Sequence, residues 1–356
     1  MMLFVSHAKG GTTGLLWHAI GTNGRITGAR STSSKINGSQ GDQDQWHRDL
    51  RRVVRGVDLF EEFGDGISLP DFSRNGIYST DLFANAAMET IGSHNSSKPF
   101  FLFLSFQAVH PPLQVPKRLE KYCSTIKSKS RRIYCGMLTA MDFAIGRVID
   151  LLKSVGYYED TVIVFTSDNG GTAQFGASNK PLRGEKDTLW EGGTKTTTIV
   201  HAPKFIKMNG VRPQLFHVVD WHATLLAIGG MQLHSYGDGI NQWDYIVTGS
   251  PRVRRFQFIY NIDDHGSAIR DGDYKLIYGN TDRRLRGEHG KIRLYRVTED
   301  PGERNDISRF QPGVTRRLLN KILDLQKYMR RNVRKPLSLL GNPERLNGSY
   351  ASGWCI

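Results

Sequence analysis

Two uninterrupted apolar runs, Phe100-Phe-Leu-Phe-Leu-Ser-Phe106 and Thr161-Val-Ile-Val-Phe-Thr166, constrain this chain most. Successive side chains of a strand point to opposite faces, so a strand that is apolar throughout must be covered on both sides. Each run follows a segment with apolar residues at helical spacing. Leu82, Phe83, Ala86, Ala87, Met88 and Ile91 predict one helix behind a polar cap at Ser79-Thr80-Asp81. Leu138, Met141, Ile145, Val148, Ile149 and Leu152 predict a second over 136–154. A third unit follows, with a strand over 196–200 and a helix over 221–228 capped by Asp220. This alternation predicts an α/β fold whose mostly parallel sheet carries helices on both faces.

The texture changes near residue 255. Short strands are expected over 255–262, 268–270, 274–279 and 291–297, separated by Asp-Gly and Gly-rich turns, with a helix over 314–329. That is a small antiparallel sheet with one packing helix. Residues 1–75 are rich in Gly, Ser and Thr and lack periodicity. Three segments result: an atypical 1–75, an α/β domain over 76–254 and a small antiparallel subdomain over 255–356.

The 356 residues carry a net charge of +14, which favours an anionic partner. No zinc-finger, RNA-binding or helix-turn-helix pattern accompanies the charge, so nucleic acid is not expected. No apolar run approaches the ~20 residues of a membrane-spanning helix. The patch Met1-Met-Leu-Phe-Val5 is too short for a signal-peptide core, so no signal peptide is visible. Asn37, Asn95 and Asn347 each open an Asn-x-Ser sequon. Three cysteines, Cys123, Cys135 and Cys355, allow at most one disulfide, and spacing does not decide whether Cys123 and Cys135 form it.

In an open α/β sheet, ligand sites gather beyond the carboxyl ends of the strands. The first apolar strand runs into Gln107-Ala-Val-His110-Pro-Pro112 and the second into Ser167-Asp168-Asn169-Gly-Gly171. His110 can shuttle a proton or donate to an anionic oxygen, while Asp168 and Asn169 offer adjacent hard oxygen ligands. Taken singly, His110 fits a backbone-bonded histidine beside a proline turn, and Asp168-Asn169 fits an Asx turn. Arg183-Gly-Glu-Lys186 and Trp190-Glu-Gly-Gly193 then form a cation-bearing, Gly-rich connection. Asp263-Asp264-His265 and Asp300-Pro301-Gly302 read as turns.

Several of these segments together resemble the sulfatase family, most closely its arylsulfatase B type. They are Tyr78-Ser-Thr-Asp-Leu-Phe83, Gln107-Ala-Val-His-Pro-Pro-Leu-Gln-Val-Pro116, Thr166-Ser-Asp-Asn-Gly-Gly171 and Pro181-Leu-Arg-Gly-Glu-Lys-Asp-Thr-Leu-Trp-Glu-Gly-Gly193. Ala268-Ile-Arg-Asp-Gly-Asp-Tyr-Lys-Leu-Ile277 and the stretch from Leu294 to Ile307 are similar to the family's C-terminal hairpin and turn. The resemblance spans about residues 76–335 and implies an alkaline-phosphatase-like fold. It also implies a calcium-dependent sulfuric ester hydrolase acting on a sulfated carbohydrate or aryl sulfate, lysosomal or secreted. By the same resemblance Asp168 and Asn169 are calcium ligands, His110 donates to the sulfate or leaving-group oxygen, Lys186 holds a sulfate oxygen and Arg183 assists in substrate binding.

The sequence also departs from that family. None of the three cysteines stands in the Cys-x-Pro/Ala-x-Arg motif that yields the formylglycine nucleophile, and the paired N-terminal aspartates are absent. Leu16-Trp-His18-Ala-Ile-Gly21 stands where the family has Lys-Trp-His-Leu-Gly, which makes His18 a weak substrate-binding candidate. The expectation is therefore a sulfatase inactive or incomplete as it stands. The alternatives are a non-catalytic binder of sulfated glycans and a truncated gene product.

Overall fold

The computed structural model describes residues 2–7, 25–27, 59–62, 68–231, 237–285, 287–329 and 338–349. His18, Cys355 and the Asn37 sequon lie outside them. The chain forms two compact units. The first comprises 1–166, 199–204 and 335–356, and the second 167–198 and 205–334.

In the first unit, β1 (Met2–His7) pairs with both β5 (Phe100–Ser105) and β6 (Thr161–Thr166). It runs antiparallel to each, so β5 and β6 are parallel to one another and the α/β sheet is mixed. β7 (Thr198–His201) completes the order β5-β1-β6-β7. Three short strands, β2 (Arg25–Thr27), β3 (Phe60–Glu62) and β4 (Ser68–Pro70), pair separately. Val162, Ile163 and Val164 are all buried, so β6 is covered on both faces as its sequence requires.

Helices α1 (Ser79–Gly92), α2 (Lys117–Glu120) and α3 (Lys129–Ser154) belong to this unit. Phe83, Ala84, Ala87 and Ile91 of α1 and Met141, Ala144, Val148 and Leu152 of α3 pack with Leu102, Leu104 and Ile163 of the sheet. Each fully buried Leu or Ile there contributes about 1.5–3 kcal/mol. α1 starts at Ser79 without a side-chain cap, so the expected capping role of Ser79-Thr80-Asp81 is not realised. Asp81 instead holds Arg147 of α3 at 2.9 Å. α3 begins seven residues before the expected start because the Ser128 hydroxyl caps it, accepting from Arg131 N. Cys123 and Cys135 are joined by a disulfide.

The second unit contains α4 (Glu191–Thr194), α5 (Asp220–Ile228), α6 (Trp243–Thr248) and a four-stranded antiparallel sheet. Its strands are β8 (Gln257–Ile262), β9 (Gly266–Asp271), β10 (Tyr274–Gly279) and β11 (Ile292–Arg296). α7 (Pro312–Gln326) lays Leu318 and Ile322 on Ile269, Leu276 and Leu294. The alternate positions Ala268, Ile277 and Tyr295 pack on Trp190. Asp220 does not cap α5 but is its first residue. Its carboxylate accepts from His217 N at 2.9 Å and Ile240 N at 2.8 Å, and takes both forks of Arg255. The turn at Asp263 forms as expected, with Oδ1 accepting from His265 N and Gly266 N.

Candidate anion-binding site

The site in the second unit is built on glycine. Gly170 donates its N–H to Gly193 O at 3.0 Å, and a Cβ on Gly170 would fall 1.7 Å from Gly192 O. A Cβ on Gly193 would fall 2.4 Å from Glu185 O and 2.6 Å from Thr188 O. Only bare backbones can meet this closely. Gly193 thus sits between the Asp168-Asn169 turn and the turn that carries Lys186.

Polar side chains fix the same arrangement. Asn179 accepts from Gly171 N at 2.9 Å and donates to Gly171 O at 2.7 Å and Gly184 O at 3.1 Å. Glu185 accepts from Ala173 N at 2.8 Å and pairs with Arg284 at 3.0 Å. Thr188 Oγ1 donates to Glu185 O at 2.7 Å and accepts from Glu185 N at 3.2 Å, closing the turn around Lys186.

Within this framework the reactive side chains are left open. Asp168 is exposed, and its carboxylate has no hydrogen bond or ion pair among the described residues. Asn169 donates its amide to Gly170 O at 2.8 Å. Lys186 is half-buried and has no ion pair among the described residues. Arg183 stacks on the Trp190 ring, 3.7 Å from its centroid, and donates to Glu303 O at 3.1 Å, which uses one of its five donors.

The framework is pinned to the small sheet by a buried cluster that the sequence reading missed. Lys275 is wholly buried, with its ammonium 2.9 Å from Glu191 Oε1 and 2.9 Å from Glu303 Oε1. The Glu303 oxygen lies outside hydrogen-bond alignment despite that distance. Tyr260 O–H donates to Glu191 at 2.7 Å, and Glu191 N–H donates to Glu303 at 2.6 Å. Burial pushes the Glu191 carboxyl up, but Lys275 and Tyr260 outweigh it and hold it below its usual value. Burial dominates at Glu303 and raises it. With one ammonium between two carboxylates, Glu303 takes the first proton. The signal available in sequence was Lys275 itself, a charge on the alternation of an otherwise apolar strand.

His110 belongs to the first unit, five residues beyond β5. Its Nδ1 lies 2.7 Å from Pro111 O, an atom that only accepts, so Nδ1 carries the proton.

Comparison with known proteins shows the family. The sequence model of the family described as Sulfatase matches residues 29–231. Arylsulfatase J of Mus musculus is 34% identical over 346 residues, covering 85% of this chain and 56% of that protein. The chain belongs to the sulfatase family. Human N-acetylgalactosamine-6-sulfatase is 27% identical over 292 residues, covering 74% of this chain and 53% of that protein. Among solved structures, Ps i-CgsB in complex with k-i-k-neocarrahexaose superposes with a TM-score of 0.65 at 23% identity, covering 81% of this chain and 62% of that one. That likeness shows the alkaline-phosphatase-like α/β fold. The chain spans about half the length of these two sulfatases.

Calcium needs six to eight oxygen ligands, with carboxylates supplying most of the charge. The Asp168-Asn169 turn offers one free carboxylate and one amide oxygen. No group of three or more His, Cys, Asp or Glu suited to a metal occurs among the described residues. The donors among the described residues therefore do not make a calcium cage.

Proposed function

We propose that this chain is part of a sulfuric ester hydrolase of arylsulfatase B type acting on sulfated sugars. In this reading Lys186 and, more weakly, Arg183 hold the sulfate oxygens, while His110 donates to the sulfate or the leaving-group oxygen. By the family resemblance Asp168 and Asn169 would contribute two of the six to eight oxygens that a calcium ion takes. The observation that carries the reading is the Lys186 ammonium, without an ion pair among the described residues and held on a turn that Gly193 packs against the Asp168 loop. Ammonium groups fixed before the anion arrives stabilise charge developing on it without reorganisation. The Cys123–Cys135 disulfide suits the lysosomal or secreted location that this reading carries.

A second reading has its own observation. No cysteine in these 356 residues stands in Cys-x-Pro/Ala-x-Arg, so the chain as it stands binds sulfated glycans without turnover. An assay with 4-nitrocatechol sulfate separates the two. Negligible release is expected from these residues alone, and a rate comparable with an intact arylsulfatase would remove the binding-only reading. Asp168→Ala is expected to abolish any calcium binding by calorimetry. An unchanged titration would remove Asp168 from the metal site.

A further inference from the structure

Residues 117–132 of the first unit carry seven cationic side chains, Lys117, Arg118, Lys121, Lys127, Lys129, Arg131 and Arg132, against the single carboxylate of Glu120. Their excess is six of the chain's fourteen net positive charges. All but Arg132 are exposed. Arg132 takes the one local carboxylate at 3.8 Å, and Arg118 reaches Asp81 at 3.9 Å. Lys117, Lys121, Lys127 and Lys129 make no ion pair among the described residues.

Local stability does not explain this concentration. Lys129, Arg131 and Arg132 fill the first turn of α3, where the helix dipole disfavours cations, and no acid offsets them. The Cys123–Cys135 disulfide ties the 3-10 turn at Lys121–Cys123 to α3. Aromatic rings are interleaved with the charges. Tyr122, 59% exposed, meets Phe143, 46% exposed, edge-on at 5.5 Å, and Lys121 lies 5.4 Å from the Tyr122 ring centre. Cations flanking exposed aromatic faces suit a ligand with alternating sulfate groups and sugar rings.

We propose that this surface is an exosite for a sulfated polysaccharide, separate in sequence from the residues proposed to hold the ester. It rests on the sulfatase reading for the choice of a sulfated glycan over other polyanions. Six residues separate His110 from Lys117, so one continuous segment leads from the proposed proton donor into the exosite. The consequence is a preference for polymeric over monomeric sulfate esters, steeply weakened by salt.

The test compares the parent chain with Lys121→Gln/Lys127→Gln/Lys129→Gln and with a control of equal charge, Lys98→Gln/Lys207→Gln/Lys321→Gln. Binding of chondroitin sulfate chains, duplex DNA, phosphatidylserine vesicles and 4-nitrocatechol sulfate is measured by calorimetry at two salt concentrations. The exosite variant is expected to lose chondroitin sulfate affinity by about tenfold at low salt, with 4-nitrocatechol sulfate binding unchanged and the control variant close to the parent. Equal losses in both variants would show a net-charge effect and overturn the exosite, as would no loss in either. Tighter binding of DNA or vesicles than of the glycan, lost in the same variant, would overturn the choice of partner. Failure of the parent to bind 4-nitrocatechol sulfate would sink the ester-site reading, while the polymer result would still decide for or against the exosite.

Discussion

Replacing Lys275 by Met would leave Glu191 and Glu303 facing each other in a buried site without their ammonium. The expected loss is about 3–5 kcal/mol, the usual cost of an uncompensated buried charge. Glu303→Gln should cost about 1 kcal/mol, because Glu303 is the carboxyl already held closest to neutrality and the amide still accepts from Glu191 N–H. Urea denaturation of both variants checks this, and equal losses would contradict the assignment. His217 gives a pH prediction. Its ring lies tilted against Phe258, 4.9 Å between centroids, and its Nδ1 has no hydrogen-bond partner among the described residues. Burial, then the Arg255 cation, hold its pKa below 6.5, with Asp220 pulling the other way. The unfolded chain therefore takes up the proton first as pH falls. Stability is present above about 6.5 and is lost as pH drops through the lower folded value. Tm should fall on acidification through that range, and His217→Gln should flatten the fall. Lys275 and His217 show the limit of the sequence at this scale. A charge or an imidazole is legible in sequence, but its partners come from Glu191, Glu303 and Arg255, dozens of residues away.

The loop that carries Lys186 depends on atoms that are missing. Gly193→Ala would drive a methyl into Glu185 O and Thr188 O, at an expected cost of about 1–3 kcal/mol. Affinity for a sulfate ester should fall with it. Gly146, inside α3, has nothing within 4 Å of its Cβ position, so Gly146→Ala should raise stability by up to about 1 kcal/mol. Thermal melts of the pair distinguish close approach from ordinary helix propensity, and similar shifts in both would contradict the packing described. Elements were legible wherever their periodicity was strong. The runs at Phe100 and Thr161, the alternation in β10 and the apolar stripe of α7 all form where the pattern places them, because burial on a known period leaves few choices. The extension of α3 back to Lys129 was hidden by its polar first turn, Lys129-Ser-Arg-Arg132. The antiparallel insertion of β1 was hidden because pairing direction is set by long-range contact rather than by any local pattern.

For the molecule as a whole, the proposals divide binding of the ester and recognition of the polymer between two surfaces. The second unit holds Lys186 on a glycine-packed turn anchored to the small sheet, and the first unit presents His110 and the basic segment that follows it. The family was legible from its ordered motifs, since several short matches in fixed order are far more specific than any one. Calorimetric titration of 4-nitrocatechol sulfate into the chain and into Lys186→Ala tests the central claim most directly. The account predicts binding by the chain and a loss of about tenfold or more in the variant, the worth of one charge-assisted hydrogen bond. Equal affinity in the two would contradict it.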